Sequence, residues 1–338
     1  MNLRLRHSLY LGLQNCGLLA WSRWWHRDDG VILTYHALAG NGEPAAGFRP
    51  ALAVKMFERQ LACLARQYHV VSLAELVHTL QARKRLRPYT VAITLEDGWR
   101  SHATIAARLL DKYKLPATIF LATAFIGTRQ LGLWTERLDW LMQSAHAPSL
   151  DFDFDGDSRS LALMTVRDRI IASDVLRGYL KKLPPHQRED NMARLAEKVG
   201  REGQWQAPER GGYSSWEELR RLKSGLLDFG SHTHTRALMS TLSPAEAHFE
   251  LAESQHLVQT ELDCPCEFFS YPGDRSAGTR DKGLLRKLGY KAALGGRGGF
   301  NTARTDIHRL RRLHIFRCPD YVFFQAKISG ADFLRKSF

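Results

Sequence analysis

Two adjacent acids, Glu96 and Asp97, stand at the end of an apolar run that begins at Val91, and Gly98 follows them. The run is rich in β-branched residues and predicts a buried strand, while the glycine lets the chain turn at once. Neighbouring side chains on such a backbone point in different directions, so one carboxylate can bind a metal ion while the other transfers a proton. The alternative interpretation is an acidic turn that only caps the following helix.

The elements around these acids predict an α/β fold. A helical pattern follows the acids, and a second apolar strand follows the helix, which makes a β-α-β unit. In such folds, catalytic groups and ligands gather at the carboxyl ends of the strands. The segments that we predict are strands over residues 31–36, 69–72, 91–98 and 117–122, and helices over residues 54–67, 73–84 and 101–113.

Composition limits the kinds of partner. The chain has 338 residues, of which 44% are hydrophobic, so one α/β barrel can account for most of it. The net charge of +13 favours anionic partners, but the basic residues are scattered and no zinc-finger or RNA-binding motif is present, so nucleic acid is not predicted. Five cysteines, an odd number, do not predict a disulfide framework and favour a reducing, cytoplasmic compartment.

Residues 1–28 form a basic, amphipathic N-terminal segment that closes with Trp21, Trp24 and Trp25. It has the outline of a signal peptide, but polar residues interrupt its apolar stretch and no small-residue cleavage site follows. It is also too short to span a bilayer. Two interpretations stay open, namely a helix at a membrane surface, peripheral to the inner membrane, and a helix packed on the protein's own barrel.

The run Thr94-Leu-Glu-Asp-Gly98, with Leu115-Pro-Ala-Thr-Ile-Phe-Leu121 downstream, resembles the Thr-Phe-Asp-Asp-Gly motif of the NodB-like polysaccharide deacetylases, a group of carbohydrate esterases. Further matches follow in order over roughly residues 31–315. The resemblance implies a distorted (β/α) barrel over residues 29–338. The β/α alternation stops at about residues 127–212, which predicts a helical insertion with few strong apolar stripes of its own.

The resemblance also implies roles for individual residues. The chain is similar to the subgroup that opens with a Tyr-His strand, which makes His36 the general acid. Glu96 falls on the family's aspartate base, Asp97 on its metal-binding aspartate and His232 on its first metal-binding histidine. Arg236 falls on the second histidine, and a guanidinium stays protonated and cannot bind a metal ion.

Two outcomes of having an arginine instead of the second histidine at position 236 stay open. His234 can replace the missing ligand, although on an extended backbone it would face away from the site that His232 faces. Alternatively, Arg236 lies beside Glu96 and Asp97 and takes the place of the cation in the charge balance, which would lower the pKa of these carboxylates.

Three further matches lie downstream or in the insertion. A third motif at Tyr271-Pro-Gly273 implies substrate binding, with the Gly273 N–H helping to stabilise an oxyanion. Arg312 falls where the family has an arginine that orients the base, and the alternative is an exposed cation in a basic run. Trp134 is a candidate for stacking on a sugar ring, and the alternative is a core tryptophan.

Together, these assignments imply metal-dependent removal of N-acetyl groups from hexosamines of an exopolysaccharide or its lipid-linked oligosaccharide precursor. The metal is expected to be zinc, weakly bound or absent. The alternative is a pseudoenzyme that binds a saccharide or a partner of the polysaccharide machinery without turnover. His36, Asp97 and His232 favour the enzyme, whereas Glu96 and Arg236 favour the binding protein.

Overall fold

Parallel strands surrounded by helices form the body of the protein. The computed structural model describes residues 3–39, 51–128, 132–201, 212–222, 225–273, 278–295, 298–315 and 320–334. The strands in this part of the chain are β1 Val31–Tyr35, β2 Leu38–Ala39, β3 Leu52–Ala53, β4 His69–Val71, β5 Thr90–Asp97, β6 Ala117–Leu121, β7 Ser149–Phe154, β8 Asp157–Ala162, β9 Leu227–Ser231, β10 Phe268–Ser270, β11 Ala292–Leu294 and β12 Leu313–His314.

The helices pack mainly around the sheet and in the insertion. They are α1 Leu3–Asn15, α2 Leu18–Trp25, α3 Val54–Gln67, α4 Leu73–Gln81, α5 Ala107–Tyr113, α6 Trp134–Ser144, α7 Val166–Leu180, α8 Pro185–Val199, α9 Trp216–Arg220, α10 Pro244–Leu262, α11 Thr279–Lys287, α12 Tyr321–Ile328 and α13 Ala331–Leu334. One π-helical turn, His102–Ala106, leads into α5, so the helix predicted after the two acids is present in two geometries. The predicted strands and helices of the barrel are thus confirmed, with small shifts at their ends.

The main sheet runs in the order β11-β10-β9-β6-β5-β1-β12, and β4 also pairs with β5. All of these pairings are parallel. Residues 310–313 connect the two edges of the sheet. Leu310 bridges to Leu294 of β11, and Leu313 pairs with Leu33 of β1. The result is the distorted (β/α) barrel that the sequence predicts.

Alternation along the strands divides the barrel interior into layers. Residues two apart share a face of a strand, and one interior face carries Ile32, Ala92 and Phe120, which pack together in one buried apolar cluster. The next layer holds hydroxyls, with Thr34 Oγ1 lying 3.1 Å from Thr94 Oγ1. Two residues beyond Thr34 and Thr94, the same faces carry His36 and Glu96.

The insertion packs around an apolar core of its own, which the few strong apolar stripes in its sequence do not reveal. Helices α6, α7 and α8 and the antiparallel hairpin β7–β8 surround this core. Each element contributes only a few apolar residues, so no single segment shows a strong pattern until the elements pack together. The fully buried members are Leu138, Leu141, Met142, Leu176, Leu180, Met192 and Leu195.

The N-terminal segment is a helical hairpin that rests on the barrel. Gly17 joins α1 to α2 in a left-handed conformation, with φ 73°. Tyr10 and Leu19 are buried, and Ser22 Oγ donates a hydrogen bond to Ser329 O at 2.8 Å. None of the described helices combines the length and apolar character needed to cross a bilayer.

Candidate active site

The two acids lie where the barrel layers end. Glu96 and Asp97 close β5, and both are buried. Asp97 and Gly98 each have φ 81°, so the chain turns sharply after the strand. The positive φ of Gly98 favours glycine at this turn, and a Cβ there would lie 2.6 Å from Ile126 Cδ1, so the end of the Ile126 side chain would have to shift. The two adjacent carboxylates contact different groups.

Glu96 is anchored through one of its oxygens. Its Oε1 accepts hydrogen bonds from Arg312 Nη1 and from Ser270 Oγ, the latter at 2.6 Å. Arg312 is fully buried and also donates from Nη2 to Tyr271 O at 2.7 Å. Burial lowers the pKa of Arg312 to about 9, so this side chain is still a cation at neutral pH. The alternative of an exposed arginine in a basic run therefore does not describe Arg312.

The second oxygen of Glu96 faces two histidines. Oε2 lies 3.3 Å from His36 Nε2 and 4.0 Å from His232 Nε2. Burial lowers the pKa of His36 well below its ordinary value, although the charge of Asp97 works in the opposite direction. His36 is therefore neutral at neutral pH, and it lies within reach of a proton held by Glu96.

Both oxygens of Asp97 are engaged. Arg236 Nε donates to Oδ1, and Trp99 Nε1 donates to Oδ2 at 3.1 Å. Burial opposes the charged carboxylate, but Arg236, His36 and His232 outweigh it and hold the pKa of Asp97 well below its ordinary value. Asp97 is thus a stable anion paired with a cation. The backbone of its partner Arg236 lies in the left-handed region, with φ 57°.

His232 has the orientation of a metal ligand. Its Nδ1 donates to Ser270 O at 2.7 Å, which leaves Nε2 as the acceptor nitrogen, buried and without a hydrogen-bond partner. Nε2 lies 3.5 Å from Asp97 Oδ1. Burial lowers the pKa of His232 to about 4, so the ring is neutral at neutral pH. A ligating histidine commonly donates its other ring N–H to a carbonyl in this way.

The set Asp97, His232 and Arg236 nevertheless does not fit the metal site of the deacetylases. Such a site needs three protein ligands with lone pairs, and a guanidinium has none. Arg236 also occupies Asp97 Oδ1, the same oxygen that His232 faces. Of the two outcomes that the sequence leaves open, the structure contains the ion pair between Arg236 and Asp97 that belongs to the second.

His234 does not replace the missing ligand in this structure. Its Nδ1 lies 3.0 Å from Thr123 Oγ1, and its ring packs edge-on against Phe249. The reason differs from the one expected from the sequence, because on an extended backbone His234 would share the face of His232. Thr233 leaves the extended conformation with φ 62°, so His234 does not share that face.

His314 joins the site without having been predicted. Its ring lies 5.9 Å from that of His36, and ligand atoms of His36, Glu96 and His314 lie within 4.8 Å of one another. Two histidines and one carboxylate are a common donor set for divalent transition metals. The sequence signal was its position two residues after Arg312 on a strand, which places both side chains on the same face.

A second group that sequence reasoning missed connects the insertion to Asp97. Tyr213 donates to Glu136 Oε2 at 2.8 Å, and its ring stacks on Trp99 at 5.0 Å between centroids. Trp99 in turn donates to Asp97. Burial raises the pKa of Glu136 to about 8, so this carboxyl group is protonated at neutral pH. Nothing in the sequence around Glu136 marks it as part of the site.

The predicted substrate-binding residues lie in different environments. Gly273, with φ 74°, accepts a hydrogen bond on its carbonyl from Arg312 Nη2 at 3.3 Å. Tyr271 is buried, and its ring packs edge-on against Phe269 at 4.7 Å. Trp134 is half-buried, with the guanidinium of Arg188 5.3 Å from its ring centre. Their roles in binding a sugar stay predictions.

Comparisons with known proteins identify the fold. No protein-family model matches the sequence, and a search of curated proteins also finds no match. Among solved structures, the deacetylase PplD of Streptococcus pyogenes, in complex with acetate, superposes with TM-score 0.58 and 15% identity, over 89% of this chain and 99% of that one.

Two other solved structures agree. IcaB from Ammonifex degensii gives TM-score 0.56 and 18% identity, over 89% of this chain and 97% of that one. A de-N-acetylase from Aggregatibacter actinomycetemcomitans gives TM-score 0.53 and 12% identity, over 88% and 99%. At these identities the likeness concerns the arrangement of the backbone. The chain therefore has the fold of the polysaccharide deacetylases, a distorted (β/α) barrel.

Proposed function

We propose that this protein hydrolyses the N-acetyl group of an N-acetylhexosamine in a glycan. The observation that supports this most directly is the way in which the Glu96 carboxylate is held. One of its oxygens is fixed by Arg312 and Ser270, while the other faces His36 at 3.3 Å. A buried, oriented carboxylate next to a neutral histidine is a suitable pair for moving a proton from an attacking water to a leaving amine.

In the proposed reaction, Glu96 is the base and His36 the acid. The water oxygen bonds to the acetyl carbonyl carbon while its proton passes to Glu96 Oε2. The proton then moves to His36 Nε2 and on to the amine nitrogen as the C–N bond breaks, which leaves acetate and a free amine. His36 is suited to this transfer because its lowered pKa makes it neutral before the reaction and quick to release the proton afterwards.

Arg312 and Ser270 offset the change from aspartate to glutamate at the base. The extra methylene displaces a carboxylate by more than about 1 Å, and such a misplacement can cost roughly 10²-fold in rate. Here the Glu96 carboxylate is held by two hydrogen bonds to buried groups. The longer side chain is therefore fixed rather than free.

Arg236 is proposed to supply the positive charge that the developing oxyanion needs. It lies on Asp97 Oδ1, and its side chain remains partly exposed, at 22%. A fixed cation beside the reacting carbonyl stabilises negative charge in the transition state. The backbone N–H of Gly273 is proposed as a second donor to the oxyanion.

The resemblance implies a divalent metal, expected to be zinc. No step of the proposed reaction uses this metal. At Asp97 and His232 it would have to displace Arg236. At His36, Glu96 and His314 it would occupy the proposed acid and base. The roles assigned to Glu96, His36 and Arg312 do not depend on a bound metal.

The substrate is proposed to be an N-acetylated exopolysaccharide or its lipid-linked precursor, processed in the cytoplasm. The odd number of cysteines, five, does not indicate a disulfide framework, which supports a reducing compartment.

Acetate release from N-acetylglucosamine oligomers by the purified protein tests this proposal. We expect release that Glu96→Gln abolishes and that a matched surface variant, Glu58→Gln, retains, since Glu58 pairs with Lys112 outside the cleft. Equal release by both variants would contradict the role of Glu96. Oligomer binding without any release would instead favour the saccharide-binding protein.

A further inference from the structure

We propose that the α1–α2 hairpin docks this protein on an anionic lipid surface. This inference is independent of the proposed reaction, since it concerns a part of the molecule that contributes no residue to the cleft. It combines the two interpretations that the sequence of residues 1–28 leaves open, because one face of the hairpin packs on the protein while the other face is exposed.

Exposed apolar side chains are concentrated on this hairpin. In the described part of the chain, twelve large hydrophobic residues are exposed, and seven of them lie in α1 and α2. Trp21, Trp24 and Trp25 are 52%, 50% and 65% exposed. The remaining four are Leu5, Leu9, Leu11 and Leu18. A large group of exposed apolar residues on one element marks a surface that meets something other than water.

The opposite face of the hairpin is fixed to the barrel. Tyr10 packs edge-on against Phe323 at 5.0 Å, and Ser22 donates to the carbonyl of Ser329. Leu19 is buried on the same side. The exposed face is therefore already formed, so binding to a surface does not have to fold it.

The charge of the hairpin matches an anionic surface. Between Leu3 and Trp25 the sequence has no aspartate or glutamate, while it has Arg4, Arg6 and Arg23. Arg27 follows α2 and lies with its guanidinium 4.3 Å from the Trp24 ring. Asp28, the first acid in the chain, pairs with Arg85. Cationic side chains beside tryptophans are typical of segments that lie at the level of lipid headgroups.

The length of the helices indicates that the hairpin would lie on the bilayer. With 13 and 8 residues, α1 and α2 are too short to span the hydrocarbon core. An amphipathic segment of this kind lies in the plane of the interface, with its apolar face toward the acyl chains.

The second exposed apolar group of the molecule provides a comparison. Met164, Val166, Ile170 and Ile171 lie on or next to α7 in the insertion and are also exposed. This group contains no tryptophan, and α7 carries Asp168 and Asp174. The two aspartates are outweighed by Arg167, Arg169 and Arg177, so α7 has a net charge of +1, against +3 for the hairpin. We therefore expect this group to bind anionic lipid more weakly than the hairpin.

Co-sedimentation of the purified full-length chain with vesicles tests the proposal. The probes are vesicles of phosphatidylcholine alone and vesicles with about one-third phosphatidylglycerol, a fraction that gives an anionic surface. We expect binding to the anionic vesicles that weakens as salt rises, because salt screens the attraction. Trp21→Ser with Trp25→Ser should lower the bound fraction about tenfold. The matched control, Ile170→Ser with Ile171→Ser, should leave it unchanged.

Three results would overturn the proposal. These are no binding to anionic vesicles, equal binding by the tryptophan variant, and equal binding to both kinds of vesicle. A fall in molar mass of the tryptophan variant in solution would show instead that a second copy of the chain covers the hairpin. Circular dichroism and the urea midpoint check that the variants are folded. None of these measurements uses the glycan, so they are independent of the acetate assay.

Discussion

The two adjacent carboxylates of the cleft, Glu96 and Asp97, are both buried and each is paired with an arginine, but the pairings differ. Arg312 and Ser270 use one oxygen of Glu96, and the other faces His36. Arg236 and Trp99 use both oxygens of Asp97. In the Glu96 half of the cleft, one carboxylate oxygen therefore remains available to accept a proton. In the Asp97 half, both carboxylate oxygens accept hydrogen bonds.

This difference separates two functions that a metal-dependent site would combine. A carboxylate held by an arginine through one oxygen is oriented and can still accept a proton. A carboxylate whose two oxygens are both bound is fixed in charge, and its lowered pKa makes it a weak base. The comparison predicts that Glu96 acts in the reaction, while Asp97 holds Arg236 in place.

The largest expected effect follows from removing the base. Glu96→Gln should reduce acetate release by at least about 10²-fold, since general base catalysis typically contributes that much. Asp97→Asn should also reduce release, but by raising KM and lowering kcat together as Arg236 loses its partner. Steady-state kinetics on both variants checks this. If Asp97→Asn cost more in kcat than Glu96→Gln, the assignment of the two halves would be reversed.

A smaller effect is expected from restoring the missing ligand. Arg236→His removes the cation from Asp97 and adds a nitrogen donor beside His232, so zinc affinity should rise by about 10–100-fold. Arg236→Gln is the control, because it removes the charge without adding a comparable ligand. Isothermal titration with zinc compares the three proteins. Equal zinc affinity in the histidine and glutamine variants would show that Arg236 does not occupy a ligand position.

Added zinc should inhibit the unmodified protein, because the group of three possible metal ligands found in the described part of the chain consists of the proposed acid, the proposed base and His314. His314→Ala should weaken this inhibition several-fold, since it removes one of three ligands. Acetate release at increasing zinc, with and without chelator, measures the effect. Activation by zinc that requires His314 would mean that the metal belongs to the reaction.

The smallest effect on the reaction is expected at Glu136, which supports the Asp97 half through Tyr213. Its pKa is raised from 4.5 to about 8 in the folded protein, so the folded state binds a proton that the unfolded state loses. Its stabilising contribution is therefore complete below about pH 4.5 and is lost as pH rises toward 8. Glu136→Gln should flatten this decline.

Urea unfolding of both proteins between pH 5 and about pH 8 would measure the change in slope, which is expected to be near 1 kcal/mol per pH unit. Asp228→Asn provides a control on a carboxyl group away from the cleft, whose pKa is also raised by burial. An unchanged slope in the Glu136 variant would mean that Glu136 is ionised in the folded protein.

Much of the barrel could be predicted because its signals are local. Apolar runs and their period predicted the strands over residues 31–36 and 91–98, which correspond to β1 and β5. The arginine at position 236, where the family has a histidine, could also be interpreted before the fold was known, because a guanidinium cannot bind a metal. These inferences needed only residue type and spacing.

The remaining features depend on contacts between distant parts of the chain. His314 reaches the site only because the stretch around it closes the barrel against β1. Glu136 comes from the insertion and depends on Tyr213, 77 residues away. Whether Arg312 is buried or exposed could not be decided from a basic run, since its partner Glu96 lies 216 residues earlier.

The most direct test of the central claim is acetate release by protein that has been treated with chelator and dialysed. If Arg236 stands in for the metal, release from N-acetylglucosamine oligomers persists after treatment and is lost in Glu96→Gln. Release that disappears with the metal and returns on adding zinc would contradict the claim and would require Arg236 to leave Asp97 in the working enzyme.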